Sequence, residues 1–157
     1  MAQATTPLDT LISLTRNSRD SANIELNGLR RDLQGAKSQL ETLNRYRHEY
    51  RQRLQQAMEA GIGPDSWRNY QQFLASLDSA IARARQTLGE REARLNHGQK
   101  HWQNEQRKLS AYDTLATRRA TEAQQRASRQ EQRLADEMAS GLVLRRQRQE
   151  TNTDTHH

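Results

Sequence analysis

Apolar side chains recur along this chain at alternating intervals of three and four residues, on both sides of a single break. Reading backward from the break, the positions are Ala57, Leu54, Tyr50, Arg47, Leu43, Leu40, Ala36, Leu33, Leu29, Leu26, Ala22, Arg19, Thr15, Ile12 and Leu8, apolar except at Arg47, Arg19 and Thr15. Reading forward, they are Trp67, Tyr70, Leu74, Leu77, Ile81, Ala84, Leu88, Arg91, Leu95, Gly98, Trp102, Glu105, Leu109, Tyr112 and Ala116, interrupted only by Arg91, Gly98 and Glu105. A sustained 3-4 spacing is the heptad seam along which helices wind about one another.

The break itself is Ala60-Gly61-Ile62-Gly63-Pro64-Asp65-Ser66-Trp67. The glycines allow positive φ after a helix end, Pro64 suits a helix entry, and Asp65 or Ser66 can cap the run that follows. The predicted fold is all-α: a long two-helix antiparallel coiled coil, or α-helical hairpin, over residues 1–140. Helix 1 covers about 8–60, the turn 61–64 and helix 2 about 65–138, with 141–157 as a disordered tail. Such a hairpin is about 75 Å long at roughly 1.5 Å per residue.

If the two seams mirror each other about the bend, residue i stands level with residue 124 minus i. Arg19 then faces Glu105, where the two offending charges either pair and fix register or snorkel outward. Gly98 falls opposite Leu26, and Gly28, Gly35 and Gly89 also lie within the arms. Each arm glycine costs a helix interior about 1 kcal/mol relative to Ala, so the hairpin is expected to be flexible along its length. Arg47 and Arg91 have no acid level with them, which sends their heads to solvent or to neighbouring carboxylates.

Beyond Ala116 the second arm outruns the first. The seam positions there become Arg119, Ala123, Arg126, Gln130, Arg133 and Glu137, and only Ala120, Ala123, Ala127 and Leu134 leave a thin apolar strip among Arg118, Arg119, Arg126, Arg129 and Arg133. This overhang is either a frayed, solvated helix or one that inserts into a cavity of another protein. Leu142-Val143-Leu144, the basic run Arg145-Arg146-Gln147-Arg148 and a polar end suggest disorder. His156 and His157 carry no evident role.

Composition sharpens the picture. Only 32% of the 157 residues are hydrophobic and 4% aromatic, too few to fill a compact globular core but enough for a thin seam. Regular apolar spacing argues against disorder of the whole chain. The absence of cysteine fits a reducing compartment and excludes thiolate metal sites. No run approaches a membrane span and no signal-peptide core is evident, so a cytoplasmic protein is expected. The net charge of +6 rests mainly on Arg and favours acidic surfaces.

Near the bend, Gln39, Tyr46 and Phe73 flank the seam beside Leu43, Tyr50, Leu77 and Ala80. The stripe is broader than two helices need: either extra packing at the bend or a docking face for a partner. Tyr46-Arg47-His48-Glu49-Tyr50-Arg51 with Leu54, Met58 and Gly61-Ile62, followed by Trp67-Arg68-Asn69-Tyr70-Gln71-Gln72-Phe73 with Leu77, Ala80 and Ile81, resembles the signature of the FliJ family. That family comprises small coiled-coil proteins of the flagellar type III export apparatus. The likeness extends over about residues 1–140, with its specific elements in 43–81.

The resemblance implies a hairpin similar to the stalk of rotary ATPases, at the cytoplasmic face of the inner membrane. Its open end would enter the hexameric export ATPase ring and promote ring assembly. It implies binding to the cytoplasmic domain of the export gate protein through Gln39, Leu43, Tyr46, Tyr50, Phe73, Leu77 and Ala80, and contact with export chaperones. By charge and position, Arg118, Arg119, Arg126, Arg129 and Arg133 would face the ATPase. No cofactor is implied.

Other function classes fit less well. A calculated pI of about 10.3 suggests nucleic acid, but Arg alternates with Asp and Glu along both arms and forms no concentrated patch. An enzyme would need a pocket, a phosphate loop or a matched nucleophile and base, none of which the pattern offers. His97 and His101 have the i, i+4 spacing of a metal pair, yet Asn27 and Asn23 face them, which favours surface histidines. A coiled-coil scaffold for some other partner is the remaining alternative.

Overall fold

The structure, a computed structural model, describes residues 5–154 and forms two helices, α1 (Pro7–Ala60) and α2 (Pro64–Thr153), with no strand among the described residues. Within Ser13–Leu109 the two helices run antiparallel and pack along one seam. His156 and His157 lie outside the described residues.

α1 starts where its sequence satisfies the free backbone donors of a helix end. Thr6 Oγ1 accepts from the Asp9 N–H at 3.2 Å, and Asp9 Oδ2 accepts from the Thr6 N–H at 3.2 Å. This is a reciprocal cap with Asp in the place usually held by Glu, and Pro7 sits at the first helical position, where a missing N–H costs nothing. At the other end Gly61 takes φ 84°, and its N–H donates to the Met58 carbonyl at 3.2 Å.

The turn is one residue shorter than the sequence suggested. The Trp67 N–H donates to the Gly63 carbonyl at 3.1 Å, so Gly63 precedes α2 and Pro64 opens it. Asp65 therefore lies inside the first turn, where its charge favours the positive helix end, instead of capping from outside.

The chain divides into two compact units. In Ser13–Leu109, every predicted seam position from Thr15 to Ala57 is buried or half-buried, as is every one from Tyr70 to Leu109. Ala22, Leu26, Leu54, Leu74, Leu77, Ile81 and Leu109 form its buried core, each large side chain contributing about 1.5–3 kcal/mol by leaving water. Trp67 departs from expectation and is 43% exposed. It lies in the first turn of α2 beside the bend, where it lines an open groove with Met58 and Ile62.

The charged layer also differs from the expected pairing. Arg19 gives its Nη2 to Asp20 Oδ1 at 3.0 Å and reaches Gln106 Oε1 at 3.5 Å, while Glu105 pairs with Lys108 Nζ at 3.2 Å. Asp20, largely exposed and one residue away, offers Arg19 two N–H contacts without drawing either charge into the seam. Glu105 keeps its stem buried and turns its carboxylate toward a Lys on its own helix.

The second unit comprises the described parts of Met1–Ile12 and Ser110–His157. Leu8 is buried and Ile12, Tyr112 and Ala116 half-buried; from Thr117 to Ser140 every residue is exposed. The helix nonetheless continues through the segment expected to be a disordered tail, ending at Thr153 and not near 138. Only Gly141 weakens this stretch, there is no Pro, and Ala, Arg, Gln, Glu and Leu all favour helix. The hydroxyls of Thr117, Thr121, Thr151 and Thr153 donate to carbonyls four residues back. Among the described residues, no helix is long and apolar enough to cross a membrane.

Candidate partner-binding surfaces

The aromatic side chains near the bend come together through the antiparallel register. Tyr50 on α1 lies 5.2 Å from the Tyr70 ring and 4.1 Å from the Phe73 ring, centroid to centroid, both tilted. Such tilted contacts add about 0.5–1.5 kcal/mol beyond burial and hold the rings in fixed orientations. Tyr50 is half-buried between the helices, whereas Phe73 is 44% exposed.

One turn away, Arg47 Nε donates to Asp78 Oδ1 at 2.5 Å, the one ion pair joining α1 to α2 among the described residues. It sits where the sequence offered Arg47 a neighbouring carboxylate instead of a level one. Around these contacts Gln39 and Tyr46 are exposed, Leu43 and Ala80 half-buried, and Leu77 buried in the seam at 7%. Gln39, Tyr46 and Phe73 thus offer side-chain surface, Leu43, Tyr50 and Ala80 offer edges, and Leu77 supports them from below.

Apart from the family signature, the sequence gives Tyr70 and Trp67 seam positions and Met58 no structural role. Tyr70 belongs to the aromatic cluster. Met58, Ile62, Pro64 and Trp67 line an open groove of about 440 Å³ at the bend, with Met58 and Trp67 both exposed. The Gly61 and Gly63 spacing, which leaves no side chain over that groove, was the available signal.

On α2, Arg118, Arg119, Arg126, Arg129 and Arg133 are all exposed, and no residue of α1 covers them. Leu134, Met138, Leu142, Val143 and Leu144 are exposed on the same stretch. Leu142, Val143 and Leu144, which the sequence assigns to a tail, are thus helix surface.

His97 and His101 share an open groove of about 570 Å³ with Glu25, Leu29, Ala93, Arg94 and Gly98. Among the described residues no three His, Cys, Asp or Glu side chains are grouped so as to hold a metal. Gly98 has a packing reason: a Cβ there would stand 2.6 Å from Leu29 Cδ1. The close approach is to Leu29 more than to Leu26, which is 3.8 Å away.

Comparison with known proteins bears on the family of the chain. A family profile described as "Flagellar FliJ protein" matches residues 3–148. The chain is 34% identical over 139 residues to the flagellar FliJ protein of Escherichia coli (strain K12), an alignment covering 88% of this chain and 95% of that one. The FliJ protein of Salmonella typhi matches to the same extent, 34% over 139 residues. Among solved structures, a Chlamydia trachomatis protein described as a YscO homologue aligns with 89% of this chain and 95% of its own, at 17% identity and a TM-score of 0.45. With the family profile spanning nearly the whole sequence and relatives matched almost end to end, this chain belongs to the flagellar FliJ protein family.

Proposed function

We propose that the chain is a non-enzymatic, stalk-like component of the flagellar type III export apparatus that works by binding two larger partners. The uncovered stretch of α2 with Arg118, Arg119, Arg126, Arg129 and Arg133 engages the export ATPase ring and promotes its assembly and activity. The face built on Tyr46, Tyr50 and Phe73, with Gln39, Leu43, Leu77 and Ala80, engages the cytoplasmic domain of the export gate protein. Export chaperones are a third class of partner. The protein acts in the cytoplasm, peripherally at the inner membrane.

The observation that carries this reading is that α2 keeps its helix from Thr117 to Thr153 with every side chain but Gly141 exposed and none covered by α1. A helix of that length and low apolar content gains little from its own chain, and its regular Arg spacing suits a cavity with acidic walls. Support for the second surface comes from aromatic side chains left exposed over a rigid ring cluster, the kind of anchor that dominates protein interfaces.

The test measures ATPase activity and gate binding on the same variants. Removing 117–157 is expected to reduce stimulation of the ATPase while leaving affinity for the gate domain intact. Tyr46→Ala with Phe73→Ala is expected to weaken gate binding by about 2 kcal/mol or more, roughly thirtyfold, and to spare stimulation. Full stimulation by the truncated chain would remove the ATPase assignment. Normal gate affinity in the double variant would remove the gate assignment.

A further inference from the structure

Within the described part of Ser110–His157, exposed apolar side chains of α2 gather on a side of their own. Leu134, Met138 and Leu142 are 60%, 72% and 61% exposed, and at about 100° per residue the outer two stand about 40° from the middle one. Glu131 and Arg145 lie on the same stripe, each about 20° from Met138, and both are exposed. Among the described residues neither has an ion-pair partner. Arg118, Arg119, Arg126, Arg129, Arg133 and Glu137 stand about 100° or more from Met138, off the stripe.

Positions 131, 134, 138, 142 and 145 are spaced 3, 4, 4, 3, an order that reads the same from either end, with an acid at one end and a base at the other. A second copy laid parallel would set Glu131 against Glu131 and Arg145 against Arg145. Laid antiparallel about Met138, it sets each Glu131 level with Arg145 of the other copy, Leu134 level with Leu142, and Met138 against itself. The next layers outward are Ala127 with Gln149 and Gln124 with Asn152, which bring no like charges together.

We propose that residues 124–152 of α2 form an antiparallel, self-complementary docking strip for a second copy of this chain. A two-fold axis at Met138 makes every contact twice, as an isologous interface requires. Leu134, Met138 and Leu142 drive the pairing by leaving water, and the Glu131–Arg145 pairs select its direction by penalising the parallel alternative. So narrow a strip binds weakly, with a dissociation constant on the order of 100 μM, and the dilute chain is a monomer with the stripe bare. Pairing leaves the five Arg side chains of the other side in water, so the inference stands whether or not they engage an ATPase.

Sedimentation equilibrium on the full chain, over concentrations about tenfold to either side of that value, tests it. The mean mass is expected to climb from 18.2 kDa toward twice that figure. A chain that stays monomeric throughout overturns the proposal and leaves the stripe to a partner of different sequence. Glu131→Arg sets like charges together in two layers and is expected to weaken association about tenfold or more, and adding Arg145→Glu is expected to restore it. Association indifferent to the first change, or not recovered by the second, sinks the pairing. The chain has no cysteine, so single replacements report direction. Met138→Cys is expected to cross-link to itself on oxidation, and Leu134→Cys to cross-link to Leu142→Cys in a mixture of the two. Preferential self-linking of Leu134→Cys would mean a parallel pair and would also overturn it.

Discussion

Tyr70 to Ala116 and Thr117 to Thr153 are stretches of one continuous helix, yet the first is half covered along its seam and the second is bare. The heptad phase runs through both. What changes is occupancy: Leu74, Leu77, Ile81, Leu88, Leu95 and Leu109 give way to Arg119, Ala123, Arg126, Gln130, Arg133 and Glu137. Helix and burial are therefore separable. Residue propensity and backbone bonding maintain the helix on both sides of Ala116, whereas a second strand is needed to cover a face.

The largest effect that separates the stretches is a cavity. Leu109→Ala empties a site that is 3% exposed and is expected to cost about 2–5 kcal/mol in chemical denaturation. Leu134→Ala, at a position 60% exposed, is expected to stay within about 0.5 kcal/mol. Comparable losses at the two sites would mean that α2 beyond Ala116 has a partner in solution, and the loss at Leu134 would then depend on protein concentration.

The seam was legible because burial obeys the spacing. Every position assigned from Leu8 to Ala57 is buried or half-buried, and Trp67, at the helix entry, is the lone exposed position of the other arm. The mirror rule was also legible, since Tyr50 meets Phe73 and Gly98 meets Leu26 and Leu29 within about one turn of the expected level. The Arg19 partner was not: long side chains choose among carboxylates within reach, and Asp20 lay as near in sequence as Glu105 lay across the seam. The end of α2 was not legible, because Gly141 and a polar tail resemble a stop, although one glycine costs a helix only about 1 kcal/mol. The Thr6–Asp9 cap departs from the usual signal, its Asp standing where the common pattern has Glu or Gln. At the bend, the sequence named the side chains of the candidate docking face but could not divide exposed Tyr46 and Phe73 from buried Leu77.

Within the paired stretch the arm glycines divide into two kinds, and the difference is about 1 kcal/mol. A Cβ at Gly28, Gly35 or Gly89 meets nothing within 4 Å, so each change to Ala is expected to raise stability by about 1 kcal/mol through helix propensity alone. At Gly98 the same gain is opposed by Leu29 Cδ1 at 2.6 Å, which must swing away into the open groove or carry α1 with it. Gly98→Ala is therefore expected to fall short of the other three in thermal midpoint. Equal gains at all four positions would show that Leu29 moves freely and that the helices are not held closely there.

The smallest effect concerns what fixes the alignment of α1 on α2. Arg47 and Asp78 are partly exposed, with side chains 35% and 54% accessible, so solvent screens their attraction and the pair is expected to contribute about 0.5–1 kcal/mol. A double-mutant cycle with Arg47→Gln and Asp78→Asn isolates that coupling, which should shrink between low and high salt because exposed charges are screened within about 10 Å at 0.1 M. The neighbouring Tyr50–Phe73 contact is apolar and provides the contrast. Its coupling, measured through Tyr50→Leu and Phe73→Leu, is expected to persist in salt. If the ion-pair coupling is instead salt-independent, the pair is shielded from water more than its exposure implies. If it is absent, Arg47 merely lies along the surface, and register near the bend rests on the aromatic cluster and the seam alone.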